Sequence, residues 1–220
     1  MPVVHLVRHG QASFGTDNYD LLSALGEVQA SAAGRELLRR GVGAPTRTPI
    51  MVSGSLQRQR RTAEIVAGEI GIQAAELLTD ERWNEFDAHA LVDSRLGGAG
   101  ASGGLTSQEF QVELDAEMLA WIDGGSASWE GFSSGAIEAL RDIAARTPRG
   151  SEAIVATSAG VTAAVVGALL GLGAQGVIAL NRVSVNASIT TVISGSRGLS
   201  LLTFNDHAHF IGEPGLLTNR

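Results

Sequence analysis

Arg8, His9 and Gly10 stand together at the carboxyl end of a short apolar run, Val3-Val4-His5-Leu6-Val7. These three residue types offer one particular chemistry. A neutral imidazole is a nucleophile, a guanidinium grips phosphate oxygens through its fork, and glycine lets the backbone approach a bound group closely. A second cation follows in the stretch Ser53–Ala67, which reads SGSLQRQRRTAEIVA. There Arg58 opens a predicted helix, where unpaired amides and the dipole already favour an anion. Each motif alone also reads as a solvated turn, and Arg60 and Arg61 fit that plainer reading.

Composition removes many rival chemistries. The chain has no cysteine, which excludes disulfides, thiolate phosphatases and thiolate metal sites. All 16 basic residues are arginines, so Schiff-base chemistry, the lysine-bearing Walker loop and the kinase lysine are excluded too. A formal charge of −7 argues against a nucleic-acid partner, which would need a basic surface. A small anionic substrate stays compatible, because a local arginine pocket outweighs a negative overall field.

The elements that must position these residues alternate between strand and helix. Val3–Arg8 reads as a buried strand, followed by a helix near Ala24–Arg40 with Ser23 as its cap. Pro49–Ser53 reads as a strand, Gln57–Gly71 as a helix, and Ala75–Leu78 as a further strand. A helix near Ser133–Arg146, a strand Ala153–Thr157 and a helix Gly160–Leu172 come later. Strands near Val185–Ser194 and Leu199–Phe204 follow, joined through a turn at Ser196-Arg197-Gly198. The alternation predicts an α/β fold: a three-layer sandwich with a mainly parallel sheet, helices on both faces and one antiparallel strand from the late hairpin.

One domain of 220 residues is expected, with an insertion at about 80–131 acting as a small cap or lid. The insertion holds a predicted helix at Ser107–Asp123 and a glycine- and serine-rich segment, Ser94–Ser107, expected to be mobile without ligand. Trp83, Trp121 and Trp129 fall in or beside it, which suggests a partly apolar substrate. The uncharged run from Ala153 to Leu180 mimics a membrane span. It divides at Thr157-Ser158-Ala159-Gly160 into halves shorter than the roughly 20 residues a span needs. The start of the chain lacks the marks of a secretory signal, so the expected location is cytoplasmic.

With these residues in view, the chain resembles the histidine phosphatase superfamily, also called phosphoglycerate mutase-like. LVRHGQAS is similar to its amino-terminal signature and SLQRQRRTAEIVA to its second-arginine signature. DERWNEFD resembles the segment carrying the catalytic acid, and NASIT with LLTFNDHAHF resembles the family's endings. The resemblance implies a phosphomonoester hydrolase that needs no metal or other cofactor. His9 would attack phosphorus, Arg8 and Arg58 would bind the phosphate, and Glu85 would protonate the leaving oxygen. Asp80, Glu81 and Asp87 are rivals for that last role.

The chain also departs from the family pattern. Ser158 stands where the family has a second histidine after the late strand. Serine can donate to phosphate but brings no charge, and losing such a donor costs on the order of a hundredfold or more in rate, by analogy with oxyanion-hole deletions. Helix amides from Gly160 onward would recover part of that. Gly15 replaces an asparagine that the family often has, which weakens a phosphoglycerate mutase reading. His207 and His209 could return an imidazole to the pocket or be structural; His5 reads as structural, and His89 as solvated or facing substrate.

Three other readings remain. The first is a non-catalytic phosphate-binding module of the same family. The second is a serine hydrolase built from Ser158, Asp206 and His207, since ATSAG resembles a nucleophile elbow. A metal site at His207 and His209 lacks a third ligand. The expected partner is a small phosphorylated substrate, with no nucleic acid and no membrane, and a homodimer is left open.

Overall fold

The computed structural model describes residues 1–13, 20–43, 48–73 and 76–219. Gly15 and Ala75 therefore lie outside the described residues. The first strand, β1 (Val3–Arg8), reads as a continuous apolar run because it is covered on both faces. Val7 packs with Ala33 and Leu37 of α1 (Ala24–Arg39) and with Ala63 and Val66 of α2 (Gln57–Ile70). On the opposite face, Val4 and Leu6 pack with Leu140 of α5 (Ala127–Arg146) and with Val161 and Val165 of α6 (Ala159–Leu170). Alternate side chains of one strand thus enter two separate cores, which makes the three layers.

The other strands are β2 (Ile50–Ser53), β3 (Leu78–Thr79), β4 (Glu152–Thr157), β5 (Ile189–Gly195) and β6 (Gly198–Asp206). They form one sheet in the order β3-β2-β4-β1-β5-β6. The β1–β4, β4–β2 and β2–β3 pairs are parallel, and β5 runs antiparallel between β1 and β6. In that register Arg8 lies opposite Thr157 and Ser53 opposite Ala156. The ends of β1, β2 and β4 therefore open onto one edge, where α/β sheets bind ligands.

Several elements differ from the sequence reading. Helix α5 begins at Ala127, ahead of Ser133, because the Ser126 hydroxyl caps it by accepting from the Ser128 amide. The strand expected from Val185 starts only at Ile189, and residues 184–188 form a loop instead. Before that loop lies an unforeseen helix, α7 (Ala174–Val183).

The insertion contains α3 (Ala88–Leu96), a 3-10 turn at Ala101–Gly104 and α4 (Ser107–Asp123), the last bounded as expected. Thr106 and Glu109 close a reciprocal capping box at the start of α4. Val92, Leu114 and Met118 share a small core with Ile178 of α7. The glycine-rich segment is tied down by Asp93, whose carboxylate accepts from the Gly100 and Ser102 amides. Among the described residues no helix is long and apolar enough to cross a membrane.

Candidate active site

The Arg8-His9-Gly10 turn leaves the end of β1 and crosses the first turn of α1. Gly10 has a structural reason beyond ligand approach: a β-carbon there would lie 2.7 Å from the Gly26 carbonyl carbon, with the oxygen closer still. A β-carbon on Gly26 would in turn collide with the backbone of Gln11. Two glycines are needed because two backbones cross without side chains between them.

A buried polar network then fixes the turn. The His9 amide donates to the Thr157 carbonyl (2.8 Å), and the Gly10 amide to the Thr62 hydroxyl (3.2 Å). The Gln11 amide donates to Gln29 Oε1 (2.8 Å). Gln29 Nε2 donates to the Thr218 hydroxyl, which donates to Asn186 Oδ1, and Asn186 Nδ2 donates to the His9 carbonyl. Arg8 Nη1 donates to the carbonyls of Ser184 and Asn219. Residues 184–187 and 216–219 thus grip the turn from beneath.

His9 is almost entirely buried, with 6% of its surface exposed. Burial, then the charges of Arg8 and Arg58, hold its imidazole neutral well below the usual histidine range. Nδ1 lies 2.8 Å from the Gly10 carbonyl, and Arg58 Nε lies 3.3 Å from Nε2. A carbonyl must accept and a guanidinium must donate, so the proton sits on Nδ1 and the lone pair on Nε2. The lone pair is aimed at Arg58.

Arg58 occupies the first turn of α2. Its Nη1 donates to Asp20 Oδ1 (2.7 Å), while Asp20 Oδ2 accepts from the Gln57 amide (2.8 Å). Asp20 therefore caps α2 from a distance, since Leu56 at the cap position has no side chain able to do so.

Glu85 is held at the same edge. Gln59 Nε2 and the Thr157 hydroxyl both donate to the Trp83 carbonyl (2.8 Å each), and Asn84 Oδ1 accepts from the Ser55 amide (2.7 Å). The Glu85 carboxylate accepts from the Gly160 amide at the start of α6 (3.0 Å) and from the Phe86 amide (3.2 Å). Burial pushes its carboxyl above the ordinary range, opposed by the Gly160 bond and by the charges of Arg58 and Arg8. The same two arginines act on both His9 and Glu85. The three rivals are placed otherwise: Asp80 pairs with Arg82, Asp87 caps α3 through the Ala90 amide, and Glu81 is exposed.

Ser158 lies at the cap position of α6 on this edge, fully buried, and its hydroxyl accepts from Gln59 Nε2 (2.8 Å). His207 Nδ1 bonds the Asn205 carbonyl, and His209 Nε2 the Ala187 carbonyl. Burial lowers His209 to about 4. Asp206 pairs with Arg40, so Ser158, Asp206 and His207 are engaged with three different partners rather than forming a relay. His5 bonds Thr191 inside the sheet, and His89 bonds Ser102 and meets the Phe110 ring at a tilt. Among the described residues no three histidine, aspartate or glutamate side chains are grouped to hold a metal ion.

Sequence reasoning missed the supporting polar residues. Gln29 and Gln59 carried a readable signal, since each sits on the buried face of its helix among alanines and other small or apolar residues. Asp20, Asn186 and Thr218 carried none, because only the fold brings them to the turn.

Comparison with known proteins extends over most of the chain. A sequence profile of the histidine phosphatase superfamily (branch 1) matches residues 4–207. No curated protein shows significant sequence similarity to the chain. Among solved structures, a mycobacterial glucosyl-3-phosphoglycerate phosphatase in complex with VO3 superposes with a TM-score of 0.64 at 23% identity, covering 93% of this chain and 99% of that one. YhfR from Bacillus stearothermophilus gives 0.67 at 19% identity over 95% and 99%. A phosphoserine phosphatase variant from Entamoeba histolytica, bound to phosphoserine, gives 0.63 at 20% over 95% and 99%.

Proposed function

Because the chain belongs to the histidine phosphatase superfamily, we propose that it is a phosphomonoester hydrolase working through a phosphohistidine on His9. The observation that carries this reading is the locked tautomer: Nδ1–H on the Gly10 carbonyl and a bare Nε2 facing Arg58. A phosphate entering between Arg8 and Arg58 takes over the guanidinium donors and frees the Nε2 lone pair. Nε2 then attacks phosphorus as the ester P–O bond breaks, and the leaving oxygen takes its proton from Glu85. In the second half, water attacks the phosphorus, Glu85 accepts its proton, the P–N bond breaks and inorganic phosphate departs. The two arginines supply the fixed positive charge, so the proposed route needs no metal.

A serine at position 158 favours a second reading, a phosphate-binding module without turnover, because the site then lacks one cationic donor. The amide terminus of α6 offsets part of that loss. The deciding experiment is a single turnover with a phosphomonoester, quenched at alkaline pH and mapped by mass spectrometry. Phosphate on His9, absent from His9→Ala and unaffected by EDTA, is the expected result. Adducts on Ser158, or turnover lost to EDTA and restored by a divalent ion, would refute the mechanism. Phosphate binding without turnover of any ester would establish the binding module.

A further inference from the structure

Resting on the phosphatase reading, we propose that the leaving group of the substrate is an uncharged, aromatic or bulky apolar alcohol, seated on a wall of rings beside Glu85. The leaving oxygen must reach Glu85, so whatever borders that carboxyl on the cap side meets the rest of the substrate. That border is Phe86. Its ring edge and Glu85 Oε1 both crowd the point where a β-carbon on Gly160 would stand, so ring and carboxylate are adjacent.

From Phe86 the rings continue outward. Phe86 meets Trp121 edge-on with centroids 5.4 Å apart and Phe132 at 5.7 Å. Trp121 and Trp129 stand edge to face at 5.0 Å, and Trp129 lies 5.8 Å from Phe132. All four residues are half-buried. Trp121 Nε1 donates to the Ser128 hydroxyl (2.7 Å), which leaves its ring as the surface it offers. Ligand pockets combine such apolar walls with a few fixed polar groups, here the phosphate clamp.

Charge excludes the opposite class of substrate. Residues 85–135 hold nine acidic side chains and one basic one, Arg95. Arg95 is engaged with Glu113 (2.8 Å) and Glu117 (3.8 Å). The arginines that approach the cap from outside, Arg82 and Arg182, are paired with Asp80 and Asp142 and with Asp115. A second carboxylate on the substrate, as in phosphoserine, would meet apolar rings instead of a cation of the cap.

The test compares esters with similarly poor leaving groups: 2-phenylethyl phosphate, ethyl phosphate and O-phosphoserine. The wild-type kcat/KM should favour the phenylethyl ester over the ethyl ester by about tenfold or more, the scale on which apolar pockets discriminate. O-phosphoserine should be the poorest of the three. In Trp121→Ala the phenylethyl-to-ethyl ratio should fall toward one, and in Trp121→Phe most of it should return, with melting temperatures confirming that both variants are folded. A ratio near one in the wild type, a preference for O-phosphoserine, or a ratio untouched by Trp121→Ala would overturn the proposal while leaving the phosphatase reading intact. Titration of His9→Ala with the same three esters, followed by indole emission, separates the two readings. Tighter binding of the phenylethyl ester without wild-type turnover of any ester would support the wall and sink the hydrolase, and equal binding of all three would sink the wall.

Discussion

Gly160→Ala tests whether Glu85 acts from where the structure holds it. A β-carbon at Gly160 would lie 2.8 Å from Phe86 Cδ1 and closer still to Glu85 Oε1. Ordinary contact begins near 3.4 Å, so the carboxylate must retreat by about 1 Å or more. Both obstacles are side-chain ends rather than backbone, so they can yield without unfolding the chain. Alanine also gains about 1 kcal/mol of helix propensity over glycine, against an overpacking cost of about 1–3 kcal/mol. The net loss should stay within about 2 kcal/mol, or roughly 4–8 °C in melting temperature for a chain of this size. A displacement of about 1 Å in a reacting group costs on the order of a hundredfold. The variant should therefore lose about a hundredfold in kcat/KM on ethyl phosphate, whose leaving oxygen needs a proton. On p-nitrophenyl phosphate, whose leaving group departs unprotonated, the loss should stay within about threefold if only general-acid catalysis is impaired. An unchanged ethyl phosphate rate in a folded variant, or equal losses on both esters, would refute the placement of the acid.

The pH profile provides another check. His9 must be neutral and its pKa is held low, whereas Glu85 must be protonated and its pKa is pushed up. Activity on alkyl esters should therefore peak on the acid side and fall as pH rises through the raised Glu85 value. Glu85→Gln should abolish that alkaline limb along with most of the rate, and a wild-type profile still climbing above neutrality would contradict the assignment. Thr218→Val leaves Asn186 Oδ1 and one proton of Gln29 Nε2 without partners. At about 1–3 kcal/mol for each of the two orphaned groups, stability should fall by about 2–6 kcal/mol, seen as a lower urea midpoint with kcat reduced as His9 loosens. A midpoint unchanged from wild type would show that the network does not hold the turn.

The parts of this molecule that were legible in the sequence are those set by local pattern. β1 showed in an apolar run broken only by His5, α2 and α4 in their helix-favouring stretches, and the Arg8-His9 turn in its place after a buried strand. Helix α7 was hidden because its apolar side chains continue the run that begins in α6, with only the Gly171–Gly173 break between them. Residues 184–188 read as strand because Val185 is apolar and buried like a strand residue, but its neighbours turn to face Arg8 and His9. The four candidate acids were separable only in part. Asp87 stands before its helix as a cap would, a local signal, whereas Glu85 is distinguished by Gly160, 75 residues away.

The grip of residues 184–187 and 216–219 on the Arg8–Gln11 turn also bears on the order in which the protein acquires its properties. The turn that carries His9 is oriented by groups far away along the chain: Asn186 lies 177 residues beyond His9, and Thr218 and the Asn219 carbonyl lie farther still. Closing contacts so distant along the chain comes late in folding, because the entropy of the intervening loop must be overcome before they form. Phosphate affinity should therefore appear after secondary structure in a refolding experiment, which makes ligand binding a reporter of the final docking step rather than of collapse.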